Sequence, residues 1–126
     1  MTISQAFRQF MIDSGFTETI YLKGVPIDAP DSCFWILAGG GSPILKNQTT
    51  GKVKNYVLFI YFRGSDSDVD EKLQELEQLV NSDSCTQLTD HDTIEMEATA
   101  FPTDEDIDSE ERTVGLVQVT ITVYDS

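Results

Sequence analysis

One stretch of the chain, Tyr56 to Phe62, is apolar on both of its alternating faces. Tyr56, Leu58, Ile60 and Phe62 fall on one side; Val57, Phe59 and Tyr61 fall on the other. Successive side chains of a strand point to opposite faces, so a strand apolar on both is expected to be covered on both. A small domain has a single core, which meets one of these faces. The other face then calls for a second layer or another subunit. A turn is expected over 64–67, followed by a helix with Asp68 as N-cap and Glu71 as its capping-box partner. Val69, Leu73, Leu76, Leu79 and Val80 line one side of that helix, opposite Lys72, Gln74, Glu75, Glu77 and Gln78.

The remaining elements read as partners of this strand and helix. Ile3, Phe7, Phe10 and Met11 form one apolar stripe on a short helix, capped by Thr2 or Ser4 and stopped at Gly15. Phe16 to Leu22 is β-prone, either a short strand or an extended connection, and the Pro- and Asp-containing stretch after it is a loop. Cys33 to Ala38 is a short apolar run that suggests a strand buried on both faces, broken by Gly39, Gly40 and Gly41. A long polar arm follows to Lys54, with a hairpin turn near Gln48 to Gly51. Thr93 to Thr99 alternates, with Ile94, Met96 and Ala98 inward and Glu95 and Glu97 outward. Val117, Val119, Ile121 and Val123 give the last strand the cleanest alternation, and it pairs antiparallel with the strand before it. The expected fold is α+β in one domain, 1–126: a mostly antiparallel four-stranded sheet, two helices on one face, and the polar arm between two strands.

Charge changes this picture more than composition does. The formal charge is −14, from 22 acidic and 8 basic residues, so nucleic acid and anionic lipid are poor partners. The charge is also unevenly spread. Lys46, Lys52 and Lys54 fall in one window, while acids gather at 66–77 and 104–111, the latter including Asp104, Glu105, Asp106 and Asp108. A repeating assembly can use such asymmetry. No apolar segment approaches the ~18 residues of a membrane span. The N-terminal stretch lacks the pattern of a signal peptide. Cys33 and Cys85 are expected to be reduced and buried.

Candidate chemistry is sparse. Asp66, Asp68, Asp70 and Glu77 match calcium-loop spacing, but Glu71 stands where the loop needs glycine, and a strand rather than a helix leads in. A capped helix explains the same residues. The triple glycine lacks a following Gly-Lys-Ser/Thr. His91 is the sole histidine and has no cysteine near it in sequence. Neither a nucleophile with its base nor a flanked carboxylate pair can be identified. The chain is therefore expected not to be an enzyme, with no catalytic residues, cofactor or metal.

The segments DSCFWILAGGGSP, NYVLFIYFRGSDSDVDEKLQELEQLV and ERTVGLVQVTITVYD, in that order, resemble the tail terminator and related minor capsid (head–tail joining) proteins of long-tailed bacteriophages. That resemblance implies an α+β sheet with helices on one side and a structural role in the virion. It implies a ring, usually of six subunits, on the head-proximal end of the tail tube, assembled in the host cytoplasm. The implied partners are other copies of the chain, the major tail tube protein and a head completion or connector protein. DNA would pass through the lumen without specific binding. The residues themselves supply interface candidates for such a ring: Lys46, Lys52 and Lys54 against Asp104, Glu105, Asp106 and Asp108 of a neighbour, with Val57, Phe59 and Tyr61 as the apolar part. A monomeric acidic adaptor or immunity-type protein that binds a basic partner is the competing reading.

Overall fold

A computed structural model describes residues 1–44, 52–82, 86–101 and 113–125. The chain runs α1 (Ile3–Asp13), β1 (Ile20–Leu22), β2 (Cys33–Ile44), β3 (Lys52–Gly64), α2 (Asp66–Ser82), β4 (Asp92–Phe101) and β5 (Thr113–Asp125). It is an α+β fold with two helices and a five-stranded mixed sheet of order β1-β2-β3-β5-β4. The expected four antiparallel strands are β2, β3, β5 and β4. The fifth strand, β1, is three residues long and pairs parallel to β2. So short a strand has no periodicity to read. It is held by Phe16 and Ile20, which enter the core, Phe16 meeting the Phe34 ring edge-on at 5.5 Å.

Both helices cover one face of the sheet. The stripe Ile3, Phe7, Phe10 and Met11 of α1 joins Val69, Leu73, Leu76 and Val80 of α2 in one buried cluster. The sheet contributes Phe34 and Ile36 of β2, Leu58, Ile60 and Phe62 of β3, and Val117, Val119, Ile121 and Val123 of β5. Thr2 caps α1 in a reciprocal box: its hydroxyl accepts from the Gln5 N–H, and Gln5 Oε1 accepts from the Thr2 N–H at 2.9 Å. Gly15 follows the helix at φ +107°, a conformation that suits glycine.

Four local expectations need correction. First, the glycines do not end β2. It continues to Ile44 through a bulge between Ala38 and Gly41, because one extra residue can be absorbed without losing the ladder. The described part of the polar arm is thus paired, with Ile44 opposite Val53; the expected turn at 48–51 lies outside the described residues. Second, β2 is not buried on both faces: Leu37 is 39% exposed. Third, α2 begins before Asp68. The Val69 N–H donates to the Ser65 carbonyl, so Asp68 sits inside the first turn, where its charge suits the helix dipole. Fourth, Ile94 is 45% exposed, because a register shift at that residue leaves Thr93, Met96 and Ala98 facing inward. Cys33 is buried, and Cys85 lies outside the described residues.

Candidate functional site

The face of the sheet away from the helices holds the other half of each alternation. Register places Tyr21 beside Trp35, Trp35 beside Tyr61, Tyr61 beside Leu116, and Leu116 beside Phe101. One residue from each of the five strands therefore lies in a single apolar row. Four inter-strand spacings make that row ~19 Å long. The Trp35 and Tyr61 rings are nearly parallel, 8° apart, with centroids at 5.3 Å. Such a pair adds roughly 0.5–1.5 kcal/mol beyond the area it buries.

A second row, Leu37, Phe59, Gln118 and Thr99, lies alongside. Gly39 makes room for it. A Cβ built there would fall 2.6 Å from Phe59 Cε2 and 3.3 Å from the Val57 carbonyl, so the ring lies over a glycine backbone. Trp35, Val57, Phe59, Tyr61 and Leu116 are half-buried by their in-plane neighbours. Leu37 and Phe101, at 39% and 41%, are the most exposed. Among the described residues, no helix or strand lies over this face; the helices pack with the opposite one. A continuous apolar patch of this breadth marks an interaction surface more often than a scattering of exposed hydrophobics does.

The patch has defined borders. At one end Arg63 Nη2 donates to the Pro30 carbonyl at 2.8 Å and to that of Ala29 at 3.4 Å, which ties the β1–β2 loop to the sheet. Ile27, in that loop, is fully exposed. Toward the other end the rows turn polar and acidic: Val57, Thr120, Glu97, then Asn55, Thr122, Glu95. The Thr122 hydroxyl donates to Asn55 Oδ1 at 2.7 Å.

Of the residues singled out from sequence, Val57, Phe59 and Tyr61 share this face. Lys54 does not: alternation places it on the side of Tyr56 and Leu58, paired with Pro43 and Val123. Lys52 opens β3 opposite Asp125. Lys46, Asp104, Glu105, Asp106 and Asp108 lie outside the described residues. The apolar candidates are thus brought together, and Lys54 is not among them. Tyr21, Trp35, Leu37, Leu116 and Phe101 were missed, because register between strands, and not any one strand's pattern, puts them in the same patch.

Polar chemistry elsewhere serves the fold. Lys72 Nζ pairs with Glu18 Oε2 at 3.0 Å and stands 5.6 Å from the Phe16 ring centroid. Burial lowers the Lys72 pKa, but the hydrogen bond and charge of Glu18, helped by Glu75 and Glu71, outweigh it and leave the pKa above that of a free lysine. The Met1 ammonium donates to Asp90, and this bond and charge hold the Asp90 carboxyl below its usual range. His91 Nε2 lies 3.0 Å from the Met1 carbonyl oxygen. Among the described residues, no three His, Cys, Asp or Glu side chains are placed to share a metal, and no helix is long and apolar enough to cross a membrane. No protein-family model matches the chain, and no curated protein matches it.

Proposed function

We propose that this protein is a structural subunit that associates with copies of itself through the open face of its sheet. The observation that carries the reading is the five-strand row Tyr21, Trp35, Tyr61, Leu116, Phe101, apolar and uncovered by the helices. In its fuller form the assembly is a ring, of six subunits by resemblance to phage tail terminators, that caps the head-proximal end of a tail tube. It ends tube growth and presents a surface to a head completion or connector protein. A ring needs one patch to meet a different patch on the next subunit. The apolar face is one such patch, and the lysines at 46, 52 and 54 against the acids at 104–108 of a neighbour supply its charged counterpart. The net charge of −14 suits a lumen through which DNA passes without sticking.

Mass photometry of the purified chain, alone and with tail tubes, tests the reading. Rings or a cap on tube ends are expected, and charge reversal of all three lysines should lower the salt stability of the assembly. A chain that stays monomeric and leaves tube ends bare would refute it. One observation favours the adaptor reading: α2 exposes Asp68, Glu71 and Glu75 toward solvent. Capture of a basic protein by a stable monomer would support that alternative.

A further inference from the structure

Sheet edges invite other strands, because their outward N–H and C=O groups lack partners. This sheet closes its two long edges in different ways. On β2, the Phe34 N–H donates to the Thr19 carbonyl and the Ile36 carbonyl accepts from the Lys23 N–H, so the even-numbered residues there face β1. Past the bulge that parity reverses, and Pro43 falls at an outward position, where it has no N–H to offer. The bulge and the proline blunt this edge.

β4 has a bulge at Ile94 but no proline, and side chains take the place of a neighbouring strand. Asn81 Nδ2 donates to the Ala98 carbonyl at 3.1 Å, while Asn81 Oδ1 accepts from the Ala98 N–H at 2.9 Å. Gln87 repeats the arrangement on Thr93: Nε2 donates to its carbonyl at 2.6 Å and Oε1 accepts from its N–H at 3.0 Å. Glu77 Oε2 accepts from the Ala100 N–H at 2.7 Å. Each amide presents one donor and one acceptor to a single residue, as the facing residue of an antiparallel strand would.

We infer that Asn81, Gln87 and Glu77 form a side-chain strand that shuts the β4 edge, a latent pairing site whose partner is β4 of a second copy. The occupant follows from the pattern that the side chains satisfy. Past the bulge at Ile94 the strand is regular from Glu95 to Phe101. There the donor–acceptor pair of Ala98 and the N–H of Ala100 are matched by an antiparallel strand, and such an edge meets its own copy in that sense about a two-fold axis. Glu95 and Glu97 add a second deterrent, since two such strands bring like charges together. Edge pairing is isologous and ends at a dimer, whereas the face proposed above can build larger assemblies. Closing the edge therefore confines self-association to the face. The edge closure itself stands whether or not the ring reading is right.

The test compares the wild type with N81A/Q87A at high ionic strength, where the glutamates are screened. At low concentration the Thr93 and Ala98 amides of the double variant should exchange with solvent roughly tenfold faster. As concentration rises the variant should form a dimer in sedimentation, the Ala98 amide should regain protection, and a further Tyr61→Lys change should leave that dimer intact. Unchanged exchange, a variant monomeric throughout, or a dimer abolished by Tyr61→Lys would overturn the inference. Should the double variant lose its circular-dichroism signature, the single, near-isosteric Asn81→Leu takes its place, removing the acceptor for the Ala98 N–H. Faster exchange at Ala98 is then the supporting result, and wild-type exchange the overturning one.

Discussion

The two faces of one strand, β3, do opposite things. Leu58, Ile60 and Phe62 are almost wholly buried beneath the helices, and the Phe62 and Phe34 rings meet at a tilt of 47° with centroids 4.5 Å apart within that core. Val57, Phe59 and Tyr61, one residue out of phase, are equally apolar but only half-buried. Folding the monomer buries the first set and leaves the second half-exposed. Hydrophobicity alone does not distinguish them. What does is that α1 and α2 both pack on the same side, and among the described residues no element covers the other.

The sharpest way to break this comparison is to truncate one residue from each face. Phe62→Ala should cost the monomer about 3–5 kcal/mol, because it opens a cavity in a packed core. Tyr61→Ala should cost the monomer only about 1 kcal/mol, mostly the lost ring pair with Trp35. Equal losses in urea unfolding, run at a concentration that keeps the chain monomeric, would mean that the outer face is as much core as the inner one. A smaller change sharpens the geometry of the open face. Gly39→Ala pushes a methyl group into the Phe59 ring, and overpacking of this kind costs about 1–3 kcal/mol. It should shift Phe59 resonances while leaving those of Phe62 in place.

The smallest effects belong to the ion pair on the helical side. Glu18→Gln should lower stability by about 0.5 kcal/mol, since Lys72 and Glu18 remain partly open to solvent. The Lys72 pKa is raised on folding, so its contribution is fully present below the free-lysine value and is lost as pH climbs through the raised one. Unfolding curves of the wild type and Glu18→Gln should therefore converge at strongly alkaline pH.

The sequence made α1, the amphipathic side of α2 and the inward set of β5 legible, because each carries a sustained period that only one face of its element can satisfy. It also pointed to the two-sided strand, and so to half of the candidate surface. The other half depended on register. Nothing local tells that Phe101 lies in line with Trp35, since β5 and β3 separate their strands. The bulge at Ile94 was invisible for a related reason: Ile94 is apolar, and alternation alone puts it inside. Asn81 and Gln87 read as ordinary polar residues, because the backbone groups they satisfy belong to residues 98 and 93, brought to Asn81 by the folding of α2 over β4 and to Gln87 by the turn that leads into β4. Lys54 and Val57 were joined in one expected interface by the charge asymmetry and the two-sided strand, and strand parity places them on opposite faces of β3.

Trp35 is the chain's single tryptophan and stands in the open row beside its central residue, Tyr61, so its fluorescence reports directly on whether that face becomes covered. Acrylamide quenching of Trp35 should be followed while assembly is monitored by light scattering. If subunits meet through this face, emission shifts to the blue and quenching falls in step with the rise in mass, and Tyr61→Lys abolishes both changes. Assembly that proceeds while Trp35 stays as open to quencher as in the dilute monomer would contradict it.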